Sequence, residues 1–148
     1  MLTVADVMET QPVVVASTTS LAEAARIMRS TGSSDLMVAD ALGVFLGVVS
    51  EGDVLRTCLP AYRDLEGRSM LSAGGLLEQR ANEVAGHSVE PMILRGAIRL
   101  APDDGLMRAA AVMASMQIRR LPVVDAQGRL VGSLSRSDLL TGLFGSTR

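Results

Sequence analysis

Apolar positions follow two alternating patterns along this chain. Short apolar runs rich in β-branched residues are typical of buried strands, whereas apolar residues that recur every three or four positions are typical of one face of a helix. The first pattern predicts strands over Pro12–Ala16, Leu36–Ala39, Val44–Val49, Ile98–Ala101, Leu121–Val124 and Leu130–Leu134. The second pattern predicts helices over Leu21–Arg29, from Ser50 to near Pro60, over Leu106–Met116 and from Ser135 onward. The sequence therefore predicts a mixed α/β protein built from short elements.

Two of the predicted helices start with the same signal. Ser50 precedes Asp53 by three residues, and Ser135 precedes Asp138 in the same way. A serine three residues before a carboxylate is typical of a helix N-terminus, where the hydroxyl caps a backbone N–H group. The carboxylate then lies near the positive end of the helix. We therefore predict that both serines are N-caps.

The chain contains two copies of one unit. A constant offset, the repeat shift, carries Asp40 onto Asp125 and aligns Ser33–Leu55 with Ile118–Leu140 without a gap. The identical pairs include Asp40 with Asp125, Gly43 with Gly128, Gly47 with Gly132, Ser50 with Ser135 and Asp53 with Asp138. A register of this length without gaps indicates a duplicated structural unit. Because a unit of about 55 residues has only a marginal core by itself, we expect the two copies to pack together and share a core.

Each copy resembles a CBS domain, and the pair resembles a Bateman module. The resemblance rests on Asp6-Val7-Met8, Ser20–Ala25, Gly47–Asp53, Glu90-Pro91-Met92, Leu121–Asp125 and Gly132–Asp138. It implies an α/β (α+β) fold of two tandem CBS repeats, each about β-α-β-β-α, packed with pseudo-twofold symmetry. We predict repeat one over residues 1–60 and repeat two over residues 89–148. The connector over residues 61–88 is predicted to be partly helical or mobile, with about two helical turns over Leu76–Val84.

The resemblance also implies a regulatory ligand in the cleft between the repeats: AMP, ADP, ATP or S-adenosylmethionine, with no further cofactor. In the family the Ser-x-x-Asp hydroxyl contacts phosphate, the aspartate holds the ribose, and adenine lies between the first strand and the residues before the second. Carried over by position, the first site comprises Val13, Val14, Val15, Leu36, Met37, Ser50 and Asp53. The second site comprises Ile98, Arg99, Leu100, Arg120, Leu121, Pro122, Ser135, Arg136 and Asp138. A simpler interpretation, in which both junctions are only helix caps, stays open.

The two implied sites differ in charge. Repeat two carries Arg136 and Arg120 where repeat one carries Glu51 and Asp35. Arginines suit phosphate groups, whereas two acids would repel them. We therefore predict that a phosphorylated adenosyl ligand binds in repeat two, and that the first site takes an uncharged or cationic adenosyl ligand or stays empty. The alternative for the arginines is a solvated surface edge.

Composition excludes several other functions. The net charge of −2 and the presence of only three aromatic residues argue against nucleic-acid binding. With one cysteine and one histidine, the chain has no Cys/His metal cluster; Cys58 and His87 could form a nucleophile pair, but a buried small side chain and a surface residue are the simpler interpretations. The sequence has no phosphate-binding lysine loop or nucleophile-elbow motif, so we expect no enzymatic activity.

The remaining expectations concern location and assembly. No apolar run approaches the roughly 18 residues needed to cross a membrane, and the N-terminus lacks a signal-peptide pattern, so we expect a cytoplasmic protein without a membrane partner. Modules of the family pair through helical faces, and the helices here are apolar between Ala22 and Met28 and between Leu106 and Met116. We expect a homodimer that senses energy state through its ligand and acts on an unidentified regulated protein. The alternative is a structural or interaction module without a nucleotide.

Overall fold

The computed structural model describes residues 1–59 and 74–145. Its helices are α1 (Val4–Val7), α2 (Leu21–Thr31), α3 (Glu51–Cys58), α4 (Leu76–Val84), α5 (Leu106–Met116) and α6 (Arg136–Phe144), with a 3-10 turn at Glu90–Met92. Its strands are β1 (Val14–Val15), β2 (Asp35–Ala39), β3 (Phe45–Ser50), β4 (Arg120–Val124) and β5 (Leu130–Ser135). The predicted α/β fold of two repeats is confirmed. The part of the predicted connector from residue 60 to residue 73 lies outside the described residues.

The two repeats build their sheets in the same way. In repeat one, β1 runs parallel to β2, and β2 pairs antiparallel with β3. In repeat two, β4 pairs antiparallel with β5, and a parallel bridge joins Leu100 to Val123. The predicted strand over Ile98–Ala101 is therefore reduced to this single bridge. The repeat shift carries the β1–β2 pairing of Val15 with Val38 onto the same bridge, so the register of the two repeats is the same.

The hairpin turns of the two repeats meet across the pseudo-twofold axis. Val44 and Arg129, which the repeat shift makes equivalent, form an antiparallel bridge with each other. Two backbone hydrogen bonds frame it: the N–H of Phe45 donates to the carbonyl of Gly128, and the N–H of Leu130 donates to that of Gly43, both at 2.9 Å. Exchanging the two repeats converts each of these bonds into the other, because Phe45 is equivalent to Leu130 and Gly43 to Gly128. The two bonds therefore mark the axis that relates the repeats.

The first segment of each repeat, which we call its lead-in segment, packs on the other repeat. Glu9 exchanges two backbone hydrogen bonds with Ser133 of β5, at 2.8 and 2.9 Å. Leu94 exchanges the equivalent pair with Val48 of β3, at 2.8 and 3.2 Å. The repeat shift relates Glu9 to Leu94 and Val48 to Ser133. The repeats are therefore joined by a reciprocal exchange of their lead-in segments as well as by their sheets.

This exchange explains how the repeats share a core. The cluster of repeat one includes Val89 and Ile93, at the start of repeat two, and Val84, which precedes them in the chain. The cluster of repeat two includes Val4, at the start of repeat one. A third, smaller cluster between the repeats consists of Met37, Phe45 and Val124. The expected shared core thus takes the form of two main clusters, each completed by the other repeat's lead-in, and a small cluster between them.

Candidate functional site

A cleft of about 280 Å³ lies between the repeats. It forms where the starts of β4 and α6 in repeat two meet the start of β2 in repeat one. Its lining residues come from both repeats: Gly32, Ser33, Ser34, Asp35, Arg119, Arg120, Ser135, Arg136 and Ser137. This volume is at the small end of the range for ligand pockets. It can hold part of a nucleotide, such as a phosphate with its sugar, while the remainder lies outside.

Strand pairing places the helix starts at this cleft. Asp35 of β2 pairs with Ser50, and Arg120 of β4 pairs with Ser135. The first N–H of α3 and of α6 then donates to the residue just before β2 and β4, respectively. The N–H of Glu51 donates to the carbonyl of Ser34 at 2.9 Å, and that of Arg136 donates to the carbonyl of Arg119 at 3.1 Å. The N-termini of α3 and α6 are therefore held against the starts of β2 and β4.

Both serines are N-caps, as predicted. The Oγ of Ser50 accepts the N–H of Asp53 at 3.1 Å, and the Oγ of Ser135 accepts the N–H of Asp138 at 3.0 Å. The carboxylates differ: that of Asp138 accepts the N–H of Ser135 at 2.9 Å, which completes a capping box. The carboxylate of Asp53 instead forms an exposed ion pair with Arg56.

The Asp138 carboxylate can bind a ligand while it also caps α6. The capping box occupies Oδ2, and an ionised carboxylate accepts up to about four hydrogen bonds. A ribose hydroxyl can therefore reach the same group without breaking the cap. Asp138 itself is half-buried and is not among the residues that line the cleft, although it lies next to Ser137, which does.

Charge divides the cleft into two walls. Arg119, Arg120 and Arg136 belong to repeat two, and Asp35 is the acid that repeat one contributes to the described lining. Burial raises the pKa of the Asp35 carboxyl above its ordinary value. The neighbouring charges of Glu51 and Asp53 add to the rise, whereas the Ser34 hydroxyl and Arg119 oppose it. Repeat one thus presents an acidic wall and repeat two a basic wall.

The structure brings only some of the predicted site residues together. Arg120, Ser135 and Arg136 line the cleft, and Asp35, named for its charge, lines it with them. The residues expected around adenine lie mostly in the packed interior; those that are buried are Val15, Leu36, Met37, Leu100, Leu121 and Pro122. Val13 and Ile98 are half-buried, and Val14 is exposed. Val14 and Val15 border a separate cavity of about 600 Å³ beside the turn between β2 and β3, whereas the other buried positions belong to the packed interior.

Arg99 lies apart from the cleft. Its guanidinium stacks over the ring of Phe45 at 4.8 Å from the centroid and donates to the backbone carbonyl of Arg95 at 3.0 Å. It therefore braces the two repeats through a cation–π contact. The family resemblance assigned Arg99 to the second site by its position, but the structure pairs it with an aromatic ring from the other repeat.

Some lining residues were missed from the sequence. Ser33, Ser34 and Ser137 line the cleft, and none of them was among the predicted site residues. Ser33 and Ser34 precede β2 of repeat one, at the positions that Ile118 and Arg119 occupy in repeat two. The signal that could have found them is the repeat shift, once it is known that the two strand starts face each other.

Other sites considered from the sequence have no support as reactive centres. Cys58 is half-buried against the cluster of repeat one, and His87 is exposed. Among residues 1–59 and 74–145, no three His, Cys, Asp or Glu side chains are grouped so as to hold a metal ion. Over the same ranges, no helix has the length and apolar character required to cross a bilayer.

The chain belongs to the CBS-domain family. The family model for the CBS domain matches twice, over residues 4–59 and 89–145. An uncharacterised protein of Methanocaldococcus jannaschii is 28% identical, with 94% of this chain and 89% of that protein aligned. A homoserine O-acetyltransferase of Methanohalophilus mahii is 30% identical over 97% of this chain, but the chain spans only 25% of that enzyme.

Solved structures of CBS pairs have the same fold. CBSX2 in complex with AMP is 26% identical, with a TM-score of 0.76 and complete coverage of both chains; CBSX2 is a protein of Arabidopsis thaliana. The CBS domain pair of protein MJ0100, in complex with 5′-methylthioadenosine and S-adenosyl-L-methionine, is 22% identical, with a TM-score of 0.66 and coverage of 99% and 98%. At 22% identity, the likeness to the CBS domain pair of MJ0100 concerns the fold alone.

Proposed function

We propose that this CBS pair is a non-catalytic regulatory module that binds an adenosyl ligand in the cleft between its repeats. The observation that carries the proposal is the cleft itself, where three arginines and a capped helix N-terminus converge. Backbone N–H groups at a helix start and arginine guanidinium groups both suit a phosphate. The AMP held by CBSX2 is the relevant precedent among structures of this fold.

The ligand is expected to bind mainly to repeat two. Arg120 and Arg136 neutralise the phosphate, and Ser137 lies beside them in the first turn of α6, where the N–H groups of Arg136 and Asp138 already donate within the protein. The free acceptor positions of the Asp138 carboxylate receive the ribose hydroxyls. The adenine ring then extends outward from the cleft or displaces part of the surrounding packing, because the predicted adenine positions are buried.

A catalytic role is not part of this proposal. The homoserine O-acetyltransferase relative is aligned over only a quarter of its length, so its activity does not transfer to this chain. A ligand that binds one conformation better than another can shift a dimer or a regulated protein without any chemistry. AMP, ADP, ATP and S-adenosylmethionine are the ligands to test, and an energy-sensing role would require discrimination among the first three.

The test is calorimetric titration of the intact chain with the four ligands, repeated on variants. Loss of a hydrogen bond or ion pair to a charged group costs roughly 1.5–3 kcal/mol, which is about tenfold to a hundredfold in affinity. We expect Asp138→Ala and Arg136→Gln to weaken AMP binding by about that factor. Asp53→Ala, at the equivalent position of repeat one, should not weaken it. Because Asp138 also caps α6, the melting temperature of each variant must be measured in parallel.

The second candidate is a structural or interaction module without a nucleotide. The observation that favours it is the burial of the residues expected around adenine, among them Leu100, Leu121 and Pro122. A ligand that binds only the folded state raises the melting temperature as its concentration rises above Kd. A flat response to all four ligands at millimolar concentration would support the interaction module and contradict ligand sensing.

A further inference from the structure

The cleft between the repeats has opposite charges on positions that the duplication makes equivalent. The repeat shift relates Asp35 to Arg120 and Glu51 to Arg136. In two separate sites these differences would only make one site acidic and the other basic. The structure instead places Asp35 and both arginines around one cavity. A ligand held by the arginines must therefore also face the carboxylate.

Asp35 is held in this position by the sheet. It is the first residue of β2 and pairs with Ser50 of β3. Its side chain is half-buried, and its Oδ2 accepts the hydroxyl of Ser34 at 3.5 Å. Glu51 and Asp53, in the first turn of α3, and Arg119, on the opposite wall, are the charged groups that act on it. The strand pairing fixes the backbone of Asp35, so its carboxylate stays at the edge of the cleft.

We infer that Asp35 sets the charge selectivity of the cleft, so that it accepts an adenosyl ligand with one phosphate, or with a cationic group, and selects against di- and triphosphates. This inference rests on the proposed function, because it concerns the ligand of the same cleft. The arginines can neutralise one phosphate group at the wall of repeat two. Each further phosphate must extend toward Asp35 and the acids behind it, where like charges repel. A positive group on the ligand is attracted to the same wall.

Calorimetric titration with adenosine, AMP, ATP and S-adenosylmethionine tests the inference, using the wild-type chain and Asp35→Asn. Adenosine has no phosphate, so its affinity should be the same for both proteins. We expect the substitution to tighten AMP about fivefold, to tighten ATP by a larger factor, on the order of tenfold or more, and to weaken S-adenosylmethionine. Glu78→Gln removes the same charge from an exposed position on α4 and should change none of the four affinities.

The outcomes separate this inference from the proposed function. If AMP and ATP bind the wild-type chain and Asp35→Asn changes adenosine, AMP and ATP by one common factor, charge selection by Asp35 is wrong while ligand binding stands. If AMP and ATP bind with equal affinity in both proteins, charge selection by Asp35 is also wrong, while ligand binding stands. If no ligand binds either protein, the proposed function fails and the inference fails with it. The gain for AMP and ATP should shrink only partly at high salt, because Asp35 is half-buried and salt screens partly buried charges less than exposed ones.

Discussion

At the scale of single residues, Ser133 is the clearest departure from a well-packed interior. Its side chain is fully buried in β5, and its Oγ has no hydrogen-bond partner among the described residues. The equivalent position in repeat one is Val48, which packs against the small cluster between the repeats. A buried hydroxyl without a partner costs about 1–3 kcal/mol in desolvation. The same backbone position thus accepts a β-branched apolar side chain in one repeat and retains a costly hydroxyl in the other.

We predict that Ser133→Val stabilises the protein. Removal of the unsatisfied hydroxyl should raise the free energy of unfolding by about 1 kcal/mol, after part of the gain is lost to the added methyl group. For a chain of this size that corresponds to a rise in melting temperature of about 2–4 °C, measured by calorimetry. Ser133→Ala adds no volume and should not destabilise. The reverse change in the other repeat, Val48→Ser, should lower the melting temperature.

A decrease for both Ser133 variants would contradict this explanation. It would mean that the hydroxyl contributes to stability despite its lack of a partner among the described residues.

At this scale, the role of a residue could be predicted from the sequence when its partner lay only a few residues away in the chain. Ser50 and Ser135 were identified as caps because their partners lie three residues away in the chain. Arg99 was assigned to the second site by its position, whereas its aromatic partner, Phe45, comes from the other repeat. The positions of Asp35 and Arg120 on one cleft depended on the same kind of long-range contact, which no local pattern encodes.

At the scale of elements, two glycines allow the lead-in segments to cross the sheets. Gly132 lies in β5, where a Cβ atom would come within 2.7 Å of the carbonyl oxygen of Glu9 and within 2.7 Å of the Met8 sulfur. Gly47 in β3 faces the backbone of Leu94 at even closer range. The repeat shift relates the two glycines, and it also relates Glu9 to Leu94. The reciprocal exchange therefore requires a residue without a side chain at both crossings.

We predict that Gly132→Ala destabilises the protein by about 1–3 kcal/mol, because the new methyl group must displace the lead-in backbone. Chemical denaturation followed by circular dichroism measures the change. The matched control is Gly96→Ala, at a position where a Cβ atom meets nothing within 4 Å. The control should be neutral or slightly stabilising, since alanine has fewer unfolded conformations than glycine. Equal losses for the two variants would show that close approach of the lead-in segment is not the cause.

Elements with strong local signals were predicted well. The bounds of α5 were predicted as Leu106–Met116 and those of α4 as Leu76–Val84, and the structure has both. The strand over Ile98–Ala101 was predicted from its apolar residues, but the ladder there is limited to one bridge. The exchange of lead-in segments was not predicted, because the chain gives no local sign that the first residues of one repeat pack on the other.

At the scale of the whole molecule, each repeat presents an apolar groove between its two main helices. The groove of repeat one lies between α2 and α3 and measures about 520 Å³; the groove of repeat two lies between α5 and α6 and measures about 430 Å³. Leu55 and Leu140, which border the two grooves at equivalent positions, are 58% and 55% exposed. The repeat shift pairs Ala25 with Ala110, Met28 with Met113, Arg29 with Ala114, Glu51 with Arg136, Val54 with Leu139, Leu55 with Leu140 and Cys58 with Leu143. The duplication has thus given one chain two matching apolar faces.

These faces support a second copy of the chain as their occupant. A twofold homodimer places the same surface of both subunits in contact, so a surface that is apolar and already duplicated can close on itself without leaving an open face. At one equivalent position the charges are opposite in sign, since Glu51 borders the groove of repeat one and Arg136 borders the groove of repeat two; Arg29 adds a positive charge to the groove of repeat one alone. Contact between the groove of repeat one and the groove of repeat two in a second copy would pair Glu51 with Arg136, whereas contact between two grooves of repeat two would place Arg136 against Arg136. We therefore expect the subunits to pair head to tail, repeat one against repeat two.

We predict a homodimer at micromolar concentration, with a dimer mass by light scattering. Leu55→Glu and Leu140→Glu each place a charge on a groove and should shift the protein toward the monomer. Leu42→Glu is the control, because Leu42 is 75% exposed in the turn between β2 and β3, outside both grooves. A monomer mass for the wild-type chain, or equal dissociation by Leu42→Glu, would contradict the grooves as the interface.

The head-to-tail arrangement has its own test in Glu51→Arg and Arg136→Glu. Each change alone makes the two facing charges alike and should weaken the dimer, which sedimentation equilibrium measures as a rise in its dissociation constant. The double variant restores opposite charges and should recover part of the loss, because the two residues act on each other across the interface. If the losses of the two single variants simply add in the double variant, Glu51 and Arg136 do not face each other, and the subunits do not pair head to tail.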